Sequence, residues 1–501
     1  MLMRFDFDSD TRRKLGYRLI DQIDAFFSSL PDRAVQVPLE RRSYGPLHNP
    51  LPELGEDAGK VLDEICREMV EQGFHVPSAN YFGLMNPTPT YMGVLAEALV
   101  AGLNPQLATL ARSQLASKIE LETVRWIGER VGWPGEFPSR FNGTFTSGGN
   151  EANFSGLALA LASRFPATVE DGVASIGAQP VLYASAESHH SLDKSAGLLG
   201  IGRKALRRIE VNDEAQLDPQ KLERAITEDN AAGGKPFCVV ATAGTTNSGT
   251  VDDLIAISEI CKRHDLWLHV DGAYGASVIF SDQHRDLVRG IELADSLTID
   301  PHKWLAMPFA AGIILTRHPQ VLERAFSVAA PYMPKAAGAQ LPDNSRISTQ
   351  WTRRMNSLKL WLTLRVHGRK GYEDLIDRQL TLAGSFSDWI QTSEDFELAV
   401  QPTLPIVTFR LKAAGPSPGQ LAAAHDRVVQ EVTRDGSRWI SETRLRGQSV
   451  LRMMVISYLT EERHLQSLQD ALTNAANAVI IKAKTKTLTT RDPSDHEGKS
   501  L

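Results

Sequence analysis

Apolar positions change their spacing along this chain, and each spacing predicts a kind of element. Over residues 11–30, the apolar residues Leu15, Leu19, Ile23 and Phe27 recur at four-residue steps, which is the stripe of an amphipathic helix. Such a helix must cover either its own subunit or a partner. After a proline-rich connector, further helical patterns run over residues 58–71, 92–103 and 117–131.

Between residues 141 and 317, short apolar runs alternate with helical patterns. The runs predict strands over residues 141–146, 181–185, 206–211, 237–243, 266–270, 296–299 and 312–316. Helices are predicted between them over residues 151–164, 219–229 and 251–264, the second with Asp218 as its cap and Pro219 in its first turn. This alternation predicts an α/β fold with a mostly parallel sheet, in which ligands bind at the carboxyl ends of the strands.

After about residue 385 the pattern changes. Strands over 406–411 and 450–456 alternate with helices over 420–435 and 461–479, which predicts a smaller α+β domain. We therefore expect an N-terminal helical segment over residues 1–105, a large domain over 106–384 and a small C-terminal domain over 385–481. The last segment, 482–501, is rich in Lys, Thr, Asp and Ser and has almost nothing to bury, so it is predicted to be a disordered tail.

Composition narrows the classes of function. The 501 residues carry a formal net charge of −6, so no basic excess favours nucleic acid or an anionic membrane as a partner. No apolar run is long enough to span a bilayer, and the N-terminus lacks the apolar core of a signal peptide. The cysteines Cys66, Cys238 and Cys261 fit neither a metal site nor a disulfide framework. A reducing cytoplasm is therefore the expected compartment.

A lysine stands in an unusual place in this chain. Lys303 follows the strand predicted over residues 296–299 and precedes the apolar run of Trp304, Leu305, Ala306 and Met307. An amine in apolar surroundings beyond a strand end suits a Schiff base with pyridoxal phosphate. We predict that Lys303 carries this cofactor.

Residues 146–152 pass from a strand into a helix through Gly148 and Gly149. Backbone N–H groups at such a helix start, together with the Ser147 hydroxyl and the Asn150 amide, would form an anion cradle for the phosphate of the cofactor. A Gly-Gly pair taken alone more often marks a plain turn.

Asp271 and two histidines complete the candidate site. Asp271 ends an apolar strand, where a buried carboxylate needs a cation or several donors, and the N–H⁺ of a pyridinium ring is such a partner. A turn or capping role for Asp271 is the alternative. His189 and His190 follow another strand, and one imidazole could stack on the cofactor, although a lone histidine is more often structural.

Several motifs resemble those of the group II pyridoxal-phosphate-dependent amino-acid decarboxylases, which include aromatic-L-amino-acid, histidine and glutamate decarboxylases. The resemblance runs from about residue 10 to residue 479. It is carried by D-S-x-x-x-x-P-H-K-W over residues 295–304, H-V-D-x-A-Y over 269–274, A-T-x-G-T-T over 241–246, and residues 120–126. It implies a fold-type-I enzyme, similar to aspartate aminotransferase, that works as a homodimer with its N-terminal helix clasping the partner.

The resemblance also implies roles for the residues at matching positions. Lys303 would form the Schiff base, Asp271 would hold the pyridine nitrogen, and Ala273 would lie under the ring. The stacking histidine points to His190 more than to His189. Thr246 falls beside the ring and the substrate carboxylate. The remaining matches are the phosphate contacts Gly149, Asn150 and His302.

The family's catalytic loop tyrosine matches Tyr332. It lies in a stretch rich in Gly, Ala and Pro, which is predicted to form a flexible lid near residues 328–350. In the family this tyrosine is thought to return a proton to Cα after carbon dioxide leaves, and members without it tend toward oxidative deamination to aldehydes. Its presence favours simple decarboxylation, and an ordinary loop tyrosine is the alternative.

The substrate wall of the family matches Leu84, Met85, Asn86 and Pro87. This wall is mainly apolar, so it fits an aromatic or large apolar side chain better than an acidic one.

Three charged residues depart from the family pattern or have an open role. Family members often have asparagine where this chain has Asp300, and an ionised carboxylate there would repel the phosphate. We therefore expect Asp300 to bind backbone N–H groups or a nearby base. Arg353 and Arg354 could bind phosphate or a partner subunit, or could simply lie on the surface.

The sequence thus predicts decarboxylation of an aromatic or large apolar L-amino acid to its amine and carbon dioxide. Oxidative deamination, transamination or an acidic substrate on the same scaffold are the enzymatic alternatives. A catalytically silent binding or scaffold protein is the alternative from another class. The retained set of Lys303, Asp271, His190 and Tyr332 argues against that last reading.

Overall fold

The computed structural model describes residues 6–37, 50–133, 135–328, 343–412 and 417–489, with side chains as far as residue 479. Tyr332 and most of the predicted lid lie outside the described residues. The N-terminal part is helical, with α1 (Ser9–Ser29), α2 (Ala58–Gln72), α3 (Tyr91–Leu103) and α4 (Gln114–Val131). Side chains of Asp8, Asp57 and Thr90 accept hydrogen bonds from backbone N–H groups in the first turns of α1, α2 and α3, which fixes where these helices begin.

A seven-stranded sheet forms the centre of the molecule. Its strands are β1 (Asn142–Thr146), β2 (Pro180–Ser185), β3 (Leu206–Ile209), β4 (Lys235–Thr242), β5 (Trp267–Asp271), β6 (Ser296–Ile299) and β7 (Gly312–Thr316), in the order β1-β7-β6-β5-β4-β2-β3. All run in one direction except β7, which is antiparallel to both of its neighbours. The carboxyl ends of β1, β4, β5 and β6 therefore meet at one edge.

Helices connect these strands and cover the sheet. They are α5 (Gly149–Arg164), α6 (Thr168–Asp171), α7 (Ser191–Leu198), α8 (Pro219–Ala231), α9 (Leu254–Arg263) and α10 (Pro319–Phe326). The sheet is buried on both faces, because β1, β2, β5, β6 and β7 have no exposed residue. Such strands form continuous apolar runs, which is why they could be predicted from the sequence.

A second, antiparallel sheet lies in the C-terminal part. It contains β8 (Phe396–Leu398), β9 (Ile406–Leu411), β10 (Ser441–Leu445) and β11 (Gln448–Met454) in the order β10-β11-β9-β8, with helices α12 (Pro418–Thr433) and α13 (Glu462–Thr489). The long helix α11 (Ser357–Thr392) leads to it from the large sheet and is interrupted at Gly368, whose φ of 66° suits glycine.

Helix α11 belongs to two hydrophobic cores. Leu360 and Ile376 pack in the core of the large sheet, whereas Phe386 and Ile390 pack in the core of the small sheet. The predicted boundary near residue 385 therefore falls inside the part of α11 that follows Gly368. The division of the chain into domains at these residues stays a prediction.

The predicted fold class is confirmed, and each predicted strand of the large sheet lies within about two residues of its observed position. Helix α13 continues to Thr489, beyond the predicted start of the tail at residue 482, and the disordered tail itself stays a prediction. An established helix extends at little cost, since each added residue gains a hydrogen bond. Among the described residues, no helix is long and apolar enough to cross a membrane.

Candidate active site

A cavity of about 340 Å³ opens at the edge where the carboxyl ends of the parallel strands meet. The described residues that line it come from the ends of β1, β4, β5 and β6, from the segment between β2 and α7, from the start of α5 and from the loop after α2. They are Met85, Ser147, Gly148, Gly149, Asn150, Glu151, Asn153, His189, Thr242, Gly244, Thr246, Asp271, Ala273, Tyr274, Asp300, His302 and Lys303. The fold thus brings together most of the residues predicted for the site.

The start of α5 forms one wall of the cavity. No side chain caps this helix, so its first N–H groups remain free to bind an anion. A Cβ at Gly149 would lie only 2.6 Å from Asp300 Oδ2, so a larger residue would close the space between the helix start and β6. The backbone N–H of Ser147 is already used, since it donates to Glu151 Oε2 at 2.7 Å.

Asp271 lies at the end of β5 with its carboxylate at the cavity wall. Its Oδ1 accepts from the backbone N–H of Ala273 at 3.2 Å, and its Oδ2 accepts from Asn153 Nδ2 at 2.8 Å. The carboxylate is buried and has no cationic partner among the contacts of the described residues. A protonated ring nitrogen in the cavity would supply one.

Lys303 enters the cavity from the turn that follows β6. Its backbone N–H donates to the Asp300 carbonyl at 2.9 Å, and its Nζ lies 3.3 Å from Asp300 Oδ2. Asp300 Oδ1 is buried without a partner in the described part of the chain. Asp300 therefore has the nearby base that was expected for it. It also brings negative charge to the side of the cavity where α5 begins.

The two histidines have exchanged the positions expected for them. His189 lines the cavity and its Nδ1 accepts from the backbone N–H of Ser191 at 3.1 Å. Burial lowers the pKa of His189, so this ring is neutral at pH 7. The His190 side chain is 94% exposed and points to Asp193. The preference for His190 is corrected to His189, because adjacent residues at the start of α7 point in different directions.

His302 borders the start of α5. Its Nδ1 accepts from the backbone N–H of Ala311 at 3.0 Å, so the proton of the neutral ring is on Nε2, which lies 3.7 Å from Asp300 Oδ2. Burial lowers the pKa of this histidine. The exposed ring of Phe309 packs against it at a centroid distance of 4.9 Å.

Of the four residues predicted for the substrate wall, Met85 alone lines this cavity. Leu84 is 46% exposed, and Asn86 and Pro87 are not among the residues that line the cavity. The substrate wall of four residues therefore stays a prediction. The loop turns tightly, since the N–H of Asn86 donates to the Leu84 carbonyl at 2.8 Å, and a tight turn cannot aim consecutive side chains at one place.

Neither arginine after the predicted lid reaches the cavity. Arg353 is buried beneath β1, where it pairs with Glu120 at 2.5 Å and donates to the Phe145 carbonyl at 2.8 Å. Arg354 is half-exposed and pairs with Glu97.

The structure also reveals functional neighbours that the sequence analysis missed. Asn153 on α5 binds Asp271, and His269 of the H-V-D motif binds Asn153. The motif held a signal for His269, because residues two apart on a strand share a face. Asn153 had none. Buried Arg452 of β11 donates to the Gly83 carbonyl and so connects the small sheet to the loop between α2 and α3.

These residues fit a phosphorylated pyridine aldehyde. The site offers an amine at Lys303, a buried carboxylate at Asp271 and an anion-binding helix start at Gly149, which are the groups that an aldehyde, a ring nitrogen and a phosphate require. With the mostly parallel sheet and the small antiparallel sheet, this donor set defines a fold-type-I pyridoxal phosphate enzyme.

Comparison with known proteins narrows this class. A family model described as the pyridoxal-dependent decarboxylase conserved domain matches residues 43–412, so the chain belongs to this family. It is therefore a pyridoxal-phosphate-dependent amino-acid decarboxylase.

Individual relatives match over most of their length. The chain is 30% identical over 482 residues to an aromatic-L-amino-acid decarboxylase of Bacillus atrophaeus, covering 94% of this chain and 97% of that protein. It is 27% identical over 487 residues to a phenylacetaldehyde synthase of Arabidopsis thaliana, covering 95% and 98%. The crystal structure of Catharanthus roseus tryptophan decarboxylase in complex with L-tryptophan superposes with a TM-score of 0.85 at 25% identity, covering 95% of this chain and 100% of that chain.

Proposed function

We propose that this enzyme removes the carboxylate of an aromatic or large apolar L-amino acid and releases the amine and carbon dioxide. One observation carries the choice of substrate. Among the described residues that line the cavity there is no arginine, and Lys303 is already paired with Asp300. An acidic substrate side chain would be buried without a cation, which is costly, whereas Met85 offers an adaptable apolar contact. The relatives that act on aromatic amino acids support the same choice.

The proposed roles follow from the contacts. Lys303 Nζ would hold the cofactor through its aldehyde, and Asp300, whose Oδ2 lies 3.3 Å from this Nζ, would pair with the lysine ammonium whenever it is not bonded to the cofactor. Asp271 keeps the ring nitrogen protonated. His189, Ala273 and Thr246 all line the cavity. His189 would cover one face of the ring, Ala273 would lie under the other, and Thr246 would contact the ring and the substrate carboxylate. Pyridoxal phosphate, when bound, supplies the electron sink for the bond that breaks at Cα.

The phosphate and the proton require further groups. The N–H groups of Gly149 and Asn150 and the Nε2–H of His302 are available to the phosphate. Tyr332 is proposed, on family resemblance, to return the proton to Cα, and it lies outside the described residues. Trp304 stacks on Tyr274 at a centroid distance of 5.0 Å, and this buried pair keeps water from the inner wall.

We also infer a homodimer. Helices α1 and α2 contain no buried residue, and Leu95, Leu99 and Leu103 form an exposed stripe along α3. The start of α3 packs on the turn after Lys303, since the N–H of Thr90 donates to the Ala306 carbonyl at 2.8 Å. A second copy covering this stripe would therefore lie beside the cavity. The free thiols Cys66, Cys238 and Cys261 support a reducing, cytoplasmic location.

A panel of L-amino acids tests the reaction and the substrate together. The purified holoenzyme is incubated with tryptophan, tyrosine, phenylalanine, leucine, glutamate and aspartate, and products are identified by mass spectrometry with carbon dioxide capture. We expect equal amounts of amine and carbon dioxide from the aromatic substrates. An aldehyde with ammonia and hydrogen peroxide would establish oxidative deamination instead. A reaction with glutamate alone would overturn the assignment of Met85.

A further inference from the structure

A row of buried polar side chains leads to Asp271 from the face of β5 that packs on α5. Trp267, His269 and Asp271 are two residues apart on β5 and therefore share this face. Asn153 of α5 and Ser296 of β6 lie against them. These five residues are all buried, with exposed fractions of 5% or less.

Four hydrogen bonds join the five side chains in sequence. They are Trp267 Nε1 to Ser296 Oγ at 2.8 Å, Ser296 Oγ to His269 Nδ1 at 2.8 Å, His269 Nε2 to Asn153 Oδ1 at 3.1 Å, and Asn153 Nδ2 to Asp271 Oδ2 at 2.8 Å. Two further contacts flank the row. Asn153 Nδ2 also reaches Ser191 Oγ at 3.1 Å, and Thr298 Oγ1 lies 3.3 Å from His269 Nε2.

The two ends of the row determine the direction of every bond. An indole N–H can only donate and an ionised carboxylate can only accept. Asn153 therefore donates its amide N–H to Asp271, and its carbonyl accepts from His269 Nε2. The Nδ1 of the neutral ring then accepts the hydroxyl proton of Ser296, whose oxygen accepts from Trp267. Burial lowers the pKa of His269 to about 4, so the ring stays neutral.

The backbone makes room for this row. A Cβ at Gly156, one turn after Asn153 on α5, would lie 2.4 Å from His269 Cε1. Any residue larger than glycine at position 156 would push the ring away from Asn153. With Asn153 on Oδ2 and the Ala273 N–H on Oδ1, the Asp271 carboxylate cannot rotate without losing a buried hydrogen bond.

We propose that Asn153 and His269 are positioning residues, which hold the Asp271 carboxylate in the orientation that binds the ring nitrogen of the cofactor. The inference rests on the role of Asp271 in the proposed function. If it is correct, the two residues act on the ring nitrogen and on no other part of the cofactor. Replacing either residue should therefore weaken the binding of a cofactor only if its ring contains the nitrogen.

A pair of cofactor forms tests this directly. Dissociation constants of pyridoxal phosphate, and of its analogue with CH in place of the ring nitrogen, are measured by fluorescence titration of the cofactor-free protein. In Asn153→Ala we expect at least about tenfold weaker binding of pyridoxal phosphate, because a buried charged acceptor loses its donor. The affinity for the analogue should stay within about twofold of the wild-type value.

The matched control is Asn142→Ala, which makes the same change at an asparagine that is 3% exposed at the far end of β1. We expect neither affinity to change in this variant. Should Asn153→Ala fail to fold, Ser296→Ala removes the proton donor of His269 further from the cavity and should weaken pyridoxal phosphate selectively as well.

Three results would overturn the inference. Equal weakening of both compounds in Asn153→Ala would mean that Asn153 only supports the shape of the cavity, and no weakening would mean that Asp271 needs no positioning. A wild-type protein that binds both compounds equally would remove the role of Asp271 itself, and the inference with it. That result is distinct, because it appears without any substitution.

Discussion

His189 and His190 are chemically identical neighbours in opposite surroundings. One is buried at the cavity wall and the other is 94% exposed. The proposed stacking of His189 on the cofactor is a contact worth about 1 kcal/mol beyond its buried area.

Replacing each histidine separately distinguishes the two. We expect His189→Ala to lower kcat/KM by about tenfold, since it removes an aromatic contact to the ring. His190→Ala should stay within about twofold of wild type, because it removes only an exposed side chain. Steady-state kinetics and the absorbance spectrum of the bound cofactor measure the difference. Equal losses in both variants would contradict the placement of His189.

Single residues differ in how far the sequence could predict them. Lys303 and Asp271 could be predicted because a charged side chain at the end of a buried strand costs free energy unless it meets a partner. The choice between two adjacent histidines depends on the backbone conformation at the start of α7. The residue types alone do not determine that conformation. Asn153 could not be predicted, because its meaning comes from Asp271, which is 118 residues away in the sequence.

At the scale of elements, the segment that follows the predicted lid is connected to β1 by a buried ion pair. Arg353 donates to Glu120 and to the Phe145 carbonyl, and both charged side chains are almost fully buried, with 1% and 2% of their surface exposed. β1 leads directly to the Gly148-Gly149 turn. The pair therefore fixes the strand that places the proposed phosphate cradle.

Arg353→Met should lower the apparent free energy of unfolding by about 3–5 kcal/mol, because it leaves the Glu120 charge buried without a partner. The neighbouring Arg354→Met should change it by less than about 1 kcal/mol, since its pair with Glu97 is half-exposed. Urea titrations of the variants measure both. Adding Glu120→Gln to Arg353→Met should recover part of the loss, and equal stability of the two single variants would contradict the argument.

The elements themselves were unequally predictable. Strands of the large sheet are buried on both faces and appear as uninterrupted apolar runs. Helix α11 was missed because its apolar residues serve two cores and its course breaks at Gly368. The strand β8 has three residues, which are too few to show the alternation of apolar and polar positions that indicates a strand.

At the scale of the whole molecule, the exposed stripe of α3 should be an interface. Leu99 is 48% exposed at its centre, while Ala96 and Val100 face inward. Both subunits of a symmetric dimer carry the substitution, so Leu99→Glu places two charges in the interface. We expect it to weaken association by about a hundredfold or more. Val169→Glu on α6, where an isolated apolar residue is 40% exposed, is the control.

Analytical ultracentrifugation measures this effect. We expect wild type and Val169→Glu to sediment as dimers, and Leu99→Glu to shift toward monomer with a matching loss of activity. A monomeric wild-type protein with full activity would refute the proposed dimer.

The central claim is that Lys303 holds the cofactor, and trapping the bond tests it most directly. The holoenzyme is reduced with borohydride and digested, and the labelled peptide is sequenced by mass spectrometry. Lys359 is the competing buried lysine, because burial lowers its pKa and it lies 2.5 Å from Glu97 and 2.8 Å from the Ala310 carbonyl. We predict one labelled peptide carrying the reduced phosphopyridoxyl group on Lys303. A label on Lys359, or no label at all, would contradict the assignment of this active site.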